Sequence, residues 1–381
     1  MYGVPVNPRI LPLLWLSALA CEQDYQVVAT PPDVDPADVT ECGFTRVENT
    51  AFYRYDCNPV FTSTEEDWLD VIGSTAFNVT EVAGHPMYQV WYSGLIDDGS
   101  QFPPYSMGYA VSADGTDFTP YAKNPVMDQG GESSFDADYM SGNQVVWDPE
   151  SEQYVMIWQG IDDEVNPNQI VNGLGVGTSS DGTKWTRFAK NPVFDFGSGA
   201  SAISYCWPLD LTLGDVSGYT GYVAGGTGRD SECGIYRLNA SSLGEWKAAE
   251  EPVLDVGERG AWDAQGMTAM SIAQLAGQKY MFYVGFGSWT QAGNYILATN
   301  PLLGMATYDA HSDTWERSDD DPVPVNNTAT GDVGGVEALT VGTRIHLWIT
   351  DQYGEGDDAV TGIGYFLFDP IAAEAEDAGG E

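Results

Sequence analysis

Asn191-Pro-Val-Phe194 is one of five copies of a short motif that divides the chain. The other copies are Asn58-Pro-Val-Phe61, Asn124-Pro-Val-Met127, Glu251-Pro-Val-Leu254 and Asp321-Pro-Val-Pro324. Their prolines are 66, 67, 60 and 70 residues apart, and a recurring spacing of this kind is typical of a modular array. The motif, called here the Pro-Val repeat, therefore predicts five modules of one fold unit each.

A second motif keeps the same spacing and predicts a buried strand in every module. It is short, rich in aromatic and β-branched residues, and bounded by turn-forming residues. Its copies begin at Tyr88, Tyr154, Tyr219, Tyr280 and Ile345. The Asp-Gly turns at 114–115 and 181–182 each join two short apolar segments, which is typical of a hairpin. Five small antiparallel sheets of about four strands predict an all-β fold, a five-bladed β-propeller.

The first module indicates how the ring closes. Phe44-Thr-Arg46 is similar to Trp185-Thr-Arg187, which belongs to the outer part of a later module, but it has no preceding strands of its own. The last module ends early, near Asp369. We therefore predict that an N-terminal strand completes the fifth blade and removes a sheet edge that would invite aggregation.

Both ends of the chain read as segments outside the propeller. Residues 1–21 carry Arg9, an apolar run and then Cys21, the pattern of a secretory signal. Ala18-Leu-Ala-Cys21 resembles a bacterial lipobox and predicts lipidation at Cys21; the alternative is an ordinary signal peptide with a nearby cysteine. Glu22 resembles an outer-membrane sorting signal. We predict a disordered tether over 22–41, the propeller over 42–370 and an acidic disordered tail over 371–381.

Cysteine usage is consistent with export to the cell envelope. Five cysteines leave four once Cys21 is assigned to the lipid, and four allow three pairings. The local pairs Cys42–Cys57 and Cys206–Cys233 are favoured because each closes within one module. Such disulfides require an oxidising compartment, which is the periplasm or the cell surface.

The formal net charge of −42 excludes nucleic acid as a partner, because binding to phosphates needs a basic surface. One interpretation is a surface adapted to salty surroundings. The other is that acidic clusters bind Ca²⁺, a cation with six to eight oxygen ligands. The candidate clusters are 162–164, 319–321 and 357–358. We expect no required cofactor and leave the metal site unassigned.

The repeated order of turn and Pro-Val repeat resembles a known group of enzymes. Ser179 to Trp185 followed by Lys190 to Phe194, and the same order over Ser112 to Val126, look like the five-bladed propellers of glycoside hydrolase families 43, 32 and 130, the arabinanase, levansucrase and invertase type. The resemblance implies a carbohydrate ligand in a funnel at one end of a central channel. Acids on the innermost strands would act there. Those strands are predicted at 75–79, 143–147, 208–212, 268–272 and 337–341.

Three acids are the candidate catalytic residues. Glu337-Ala-Leu resembles the Glu-Gly-Pro motif that carries the general acid of family 43, with two of its three positions replaced. Asp138 and Asp263 are the candidates for base or orienting acid, since inverting hydrolysis needs a second carboxyl group across the glycosidic bond. Asp263 lies eleven residues after its repeat proline, as do Asp70 and Asp136. Such repetition favours a structural role, whereas Asp138 and Glu337 break the repeat.

Other side chains suit a sugar subsite. Tyr139, Tyr205, Trp207 and Trp289 are predicted in loops or at strand entrances, where an aromatic ring could stack on a sugar, and Asp210 breaks the repeat inside a strand. Two functions follow. The first is a glycoside hydrolase acting on glycans outside the cell, and the alternative is a non-catalytic propeller that binds glycan or protein in the same funnel. A third and weaker interpretation is a Ca²⁺-binding surface scaffold.

Overall fold

A computed structural model describes the protein over residues 42–82, 84–95, 104–162, 171–196, 204–213, 218–226, 233–292, 295–325, 333–354 and 359–373. At 171, 204–213, 289–292 and 295–298 the description covers the backbone alone. The regular structure in these ranges is almost entirely strand, apart from a 3-10 turn at Ser63–Glu65 and a helical turn at 370–373. Among the described residues no helix is long and apolar enough to cross a bilayer.

The N-terminal segment and the first two modules form strands β1 to β13. The segment before the first blade contributes β1 (Phe44–Arg46), β2 (Phe52–Tyr55) and β3 (Phe61–Thr62). Blade 1 consists of β4 (Val71–Val82), β5 (His85–Leu95), β6 (Tyr105–Ser112), β7 (Thr119–Pro120) and β8 (Met127–Asp128). Blade 2 consists of β9 (Tyr139–Asp148), β10 (Gln153–Asp162), β11 (Val171–Ser179), β12 (Thr186–Arg187) and β13 (Phe194–Asp195).

The remaining modules form strands β14 to β26. Blade 3 consists of β14 (Ser204–Leu213), β15 (Tyr219–Gly226), β16 (Gly234–Ala240) and β17 (Trp246–Ala248). Blade 4 consists of β18 (Gly266–Leu275), β19 (Gln278–Phe286), β22 (Leu302–Asp309) and β23 (Thr314–Arg317), with a hairpin of β20 (Ser288–Ala292) and β21 (Tyr295–Thr299) inserted after β19. Blade 5 contains β24 (Gly335–Val341), β25 (Arg344–Tyr353) and β26 (Val360–Phe368).

The ring closes as the sequence predicts. Sheet order in blade 5 is β24-β25-β26-β2-β1, so the N-terminal strands complete the last blade. Phe52 lies opposite Phe368 in antiparallel register, and the outer hairpin is joined by the Cys42–Cys57 disulfide. The five-bladed propeller is therefore confirmed, together with its closure. Cys233 is disulfide-bonded, but the side chain of Cys206 lies outside the described part, so that pairing stays a prediction.

In three of the five Pro-Val repeats an asparagine side chain ties the repeat to a sheet. Asn191 accepts a hydrogen bond from Val176 N (3.0 Å) and donates to Val176 O (2.9 Å), so its amide continues the ladder like a backbone peptide group. Asn58 and Asn124 bracket Tyr365 and Tyr109 in the same way. The bond before the repeat proline is cis in these three copies and at Asp321.

Neighbouring blades are joined through the Asp-Gly turns. Trp91 in blade 1 donates its indole N–H to Gly182 O in blade 2 (2.7 Å), and Trp348 in blade 5 donates to Gly115 O in blade 1 (3.0 Å). Both glycines have positive φ, which leaves their carbonyls turned toward the preceding blade. Both tryptophans are fully buried, in an apolar core that continues from blade to blade.

Candidate functional site

The central channel opens into a funnel where the innermost strands begin. These strands are β4, β9, β14, β18 and β24, as predicted, although each begins two to four residues earlier than expected. The described lining comes from the first residues of four of them and from the ends of second strands. The cavity volume is about 290 Å³, close to the lower end of small-molecule sites.

Glu337 projects into this channel. It lies on β24 and is 6 % exposed, and its carboxylate accepts a hydrogen bond from the amide of Gln144 on β9. Blades 5 and 2 are separated in the ring by blade 1, so this bond crosses the channel beneath the funnel. A carboxylate held in such a position can accept hydrogen bonds from a ligand and is shielded from bulk water. The sequence-based choice of Glu337 thus falls on the only carboxylate among the described lining residues.

Hydroxyl and amide groups form one wall of the funnel. Ser74 and Ser141 line the funnel, and their hydroxyl oxygens lie 2.9 to 3.2 Å from each other and from that of Ser93, which is buried behind them. Ser74 also donates to the amide oxygen of Asn143 (2.7 Å). A Cβ on Gly73 would lie 2.7 Å from Ser93 Oγ, so this cluster requires glycine beside it. The wall belongs to blades 1 and 2 and offers neutral donors and acceptors.

The polar wall continues through the second strands of blades 2 and 5. Gln159 on β10 is 2 % exposed and donates to the amide oxygen of Asn172 (2.9 Å). Thr350 on β25 is 4 % exposed, and within the described part of the chain its hydroxyl has no hydrogen-bond partner. Both side chains line the funnel.

The opposite wall is apolar. Its side chains are small or aliphatic, apart from Thr268 of blade 4, and they come from blade 4, from the segment before blade 5 and from β24: Ala269, Met270, Pro301, Val333 and Val336. A sugar ring has a hydroxyl edge and faces of C–H groups, so a cavity with one polar and one apolar wall matches both. The arrangement fixes orientation with a few polar groups, as small-molecule sites commonly do.

The repeated aspartates are engaged elsewhere. Asp136 is fully buried and pairs with Arg187 (2.8 Å) and with the indole N–H of Trp158 (3.0 Å), all within blade 2. Asp263, 1 % exposed, pairs with Arg317 (2.8 Å) within blade 4 and is not among the described lining residues. The geometry fits the structural interpretation of this repeated position.

The remaining predicted residues fall into two groups. Asp138 is half-buried, donates its backbone N–H to Ile161 O (3.0 Å) and directly precedes Tyr139, which lines the funnel. Tyr139 packs edge-on against Tyr105 with 4.5 Å between ring centres. The other candidates lie on strands whose side chains are outside the described part: Tyr205, Trp207 and Asp210 on β14, and Trp289 on β20. Their roles stay predictions.

Sequence reasoning missed the polar wall and Gln144. One signal was available: Ser93 and Gln159 each stand directly before the glycine that ends an otherwise apolar strand motif, and Thr350 ends the fifth copy. As for metals, the described residues contain no group of three or more His, Cys, Asp or Glu side chains arranged to hold an ion. Of the predicted Ca²⁺ clusters, residues 163–164 of the cluster at 162–164 and the whole cluster at 357–358 lie outside the described residues, so Ca²⁺ binding there stays a prediction.

The fold is shared with known carbohydrate-active enzymes. A glycosyl hydrolase from Bacteroides ovatus is 18 % identical, with a TM-score of 0.58 over 86 % of this chain and 94 % of that one. A structure from the GH130 family, described as mannoside phosphorylases that include glycoside hydrolases targeting β-1,2 mannosidic linkages in Candida mannan, is 18 % identical, with a TM-score of 0.56 over 88 % and 96 %. A thermostable family-43 glycoside hydrolase is 14 % identical, with a TM-score of 0.52 over 77 % and 91 %.

These likenesses confirm the predicted resemblance in fold to the glycoside hydrolase propellers. At such low sequence identities these likenesses show the fold alone, so the activity has to be argued from the residues of the site. No protein-family profile matches the chain. No curated protein matches it either.

Proposed function

We propose that this protein binds a glycan in its central funnel, with Glu337 as the acidic group that contacts the ligand. The observation that carries the proposal is the two-sided cavity, with hydroxyls, amides and one carboxylate facing aliphatic side chains. Glycoside hydrolases among proteins of the same fold support a carbohydrate as the ligand.

Binding is favoured over hydrolysis by the number of acids. Inverting hydrolysis needs two carboxyl groups about 6.5–9.5 Å apart, and retaining hydrolysis needs two about 5 Å apart. Among the described lining residues Glu337 is the only carboxylate, and Asp263 is committed to Arg317. A single carboxylate can orient a sugar hydroxyl, but it supplies only half of either mechanism.

Glycoside hydrolysis is the second candidate, and the position of Glu337 favours it, because this buried acid lies on an innermost strand and lines the funnel. A general acid has to lie at such a position to protonate the leaving group. Asp138 directly precedes Tyr139 at the rim and is the candidate for base or orienting acid.

We place this activity outside the cell. The signal-like residues 1–21 and the lipidation motif at Cys21 support export and anchoring to the outer membrane through lipid alone. The Cys42–Cys57 disulfide is consistent with an oxidising compartment. We also propose that acidic clusters on the surface can bind Ca²⁺, and this binding is independent of the ligand in the funnel.

The test is to screen the purified protein and its Glu337→Gln variant for both binding and turnover on plant and marine polysaccharides and aryl-glycosides. Asp319→Asn, at an exposed acid of blade 4, controls for the loss of one charge. We expect binding by the wild type that Glu337→Gln weakens, without turnover. Turnover that Glu337→Gln abolishes would establish the hydrolase instead. Wild-type protein that neither binds nor cleaves any glycan would refute the proposal.

A further inference from the structure

Thr350 carries a buried hydroxyl that the fold leaves unused. The residue is 4 % exposed, and in the described part of the chain Oγ1 has neither donor nor acceptor. Leaving a buried hydroxyl unpaired costs free energy of folding, and such groups are rare enough in native proteins to need a reason. Valine has nearly the same shape without that cost. The threonine therefore points to a partner that is not part of the folded chain.

Thr350 lies in the wall of the funnel, with its hydroxyl oxygen buried behind the surface. Two glycines lie against it: a Cβ on Gly335 would be 3.6 Å from Thr350 Oγ1, and a Cβ on Gly334 would be 3.7 Å from its Cγ2. Gly334 N donates to Thr350 O (2.7 Å), which fixes the backbone at this point. Since Gly334, Gly335 and Thr350 all line the cavity, a ligand there lies against Thr350, and rotation of its side chain about χ1 would bring the hydroxyl to the cavity surface.

The equivalent residues of the neighbouring blades show what is distinctive about Thr350. Thr350, Ser93 and Gln159 lie opposite Ile363, Met107 and Leu174, and each of these three accepts a hydrogen bond from the valine of a Pro-Val repeat. Ser93 is bonded to Ser141 (3.0 Å) and Gln159 to Asn172 (2.9 Å). At the same position in blade 5, Thr350 has a polar group as well, but within the described residues its hydroxyl has no hydrogen-bond partner.

The charge of the funnel indicates the class of ligand. The described lining contains no lysine, arginine or histidine, its one carboxylate is Glu337, and the whole chain carries a net charge of −42. A carboxylated or phosphorylated sugar would bring like charge into a site of low dielectric, which is strongly unfavourable. A neutral sugar meets hydroxyls and amides instead.

Together these observations lead us to infer that Thr350 is a ligand-binding residue, whose Oγ1 forms a hydrogen bond with a hydroxyl of an uncharged sugar. The inference rests on the proposed glycan-binding function and deepens it.

The experiment compares Thr350→Val with Thr340→Val in the purified protein. Thr340 is the matched control, because it lies on the neighbouring strand of the same blade and its hydroxyl donates to Gln274 O (2.6 Å). Thermal unfolding is measured first. We expect Thr350→Val to raise Tm by about 2 °C, since it removes an unpaired buried group, and Thr340→Val to leave Tm unchanged or lower it.

Calorimetric titration then uses xylohexaose, mannohexaose and arabinohexaose as neutral probes and hexagalacturonate as the charged one. We expect Thr350→Val to weaken binding of the best neutral probe about 5- to 30-fold, with Thr340→Val unchanged. We expect hexagalacturonate to bind at least about 10-fold more weakly than that probe. The ratio of the two dissociation constants should decrease in high salt, because salt screens the repulsion between like charges.

Each contrary result has its own meaning. A Thr350→Val variant that keeps its affinity would overturn the inference whatever its Tm, and a loss of stability beside unchanged affinity would show that the hydroxyl is structural. Tight binding of hexagalacturonate would overturn the uncharged class and leave glycan binding standing. Wild-type protein that binds none of the four probes, beside a stabilised Thr350→Val, would remove the ligand assignment together with the proposed function.

Discussion

Replacing Asp321 by asparagine is expected to stabilise the protein, and to do so more strongly as the pH rises. Asp321 takes the place that asparagine occupies in three other Pro-Val repeats. Its carboxylate accepts hydrogen bonds from Met305 N (2.9 Å) and from the hydroxyl of Tyr283 (3.2 Å). An asparagine there would keep the acceptor and add the donor that Asn191 uses toward Val176 O.

The magnitude follows from the pKa of Asp321. Burial, reinforced by the negative charge of Asp263, raises this pKa from the usual 3.8 to about 7, although the bonds from Met305 and Tyr283 oppose the shift. The folded state therefore retains a proton that the unfolded chain releases, and stability falls as the pH rises from about 4 to 7. A shift of about 3 units corresponds to a ceiling of about 4 kcal/mol. Local relaxation lowers such penalties, so we expect a gain of about 1–3 kcal/mol at pH 8.

The assay is urea unfolding of the wild type and Asp321→Asn from pH 4 to pH 9. The difference in unfolding free energy should be below about 1 kcal/mol at pH 4, grow up to pH 7 and stay constant above it. Asp319→Asn removes the same charge at an exposed site two residues away and should show no such pH dependence. Asn191→Asp is the reciprocal test: it places a carboxylate oxygen against Val176 O and should destabilise the protein. The reasoning would be refuted if Asp321→Asn raised the free energy of unfolding only as much as Asp319→Asn does, or by an amount that does not change with pH.

Two further changes test the contacts that hold the blades. Arg317→Met leaves the buried carboxylate of Asp263 without its ion-pair partner and should lower the free energy of unfolding in urea by about 3–5 kcal/mol. Adding Asp263→Asn to the same chain should restore most of that loss. A double variant no more stable than Arg317→Met would contradict the ion pair. Trp348→Phe removes the hydrogen bond to Gly115 and leaves a cavity between blades 5 and 1, so we expect the free energy of unfolding to fall by about 2–3 kcal/mol. Trp147→Phe, at a 39 % exposed site, is the control and should lower it by less than about 0.5 kcal/mol. Equal losses in the two variants would refute the role of Trp348 between the blades.

The fold could be predicted because the same physical demands recur in every module. Each blade needs an apolar second strand, a tight turn and a repeat that returns the chain to the next blade, so the motifs at Tyr88 and Tyr154 resemble each other. Ring closure could be predicted because Phe44-Thr-Arg46 has an outer-strand pattern without inner strands. The inserted hairpin of β20 and β21 could not, because it occurs once and so has no periodic signal.

The candidate site was predictable only in part. Glu337 could be identified because it opens an innermost strand, but its bond to Gln144 joins blades that are not adjacent, and such a contact has no trace in local sequence. The two ion pairs, in contrast, did leave a signal in the local sequence. Trp185-Thr-Arg187 and Trp315-Glu-Arg317 carry an arginine at the same place of the repeat, and these arginines pair with Asp136 and Asp263. Blade 1 has Pro120 at the corresponding place, and there Asp70 is exposed.

The departures from the repeat explain why the funnel has two unlike walls. Across the five blades, the register places Thr350, Ser93 and Gln159 where blades 3 and 4 have Ala224 and Val284. In blades 3 and 4 the aliphatic residues at this position belong to the cores between sheets, whereas Thr350 and Gln159 line the funnel and Ser93 is bonded to the lining residue Ser141. Blades 5, 1 and 2 are consecutive in the ring, so their polar residues fall on one side of the funnel and the aliphatic residues of blade 4 on the other. If the proposed sugar were rotated by half a turn about the channel axis, its hydroxyls would meet aliphatic carbon and lose the hydrogen bonds to this wall, so we expect the proposed ligand to bind in one orientation.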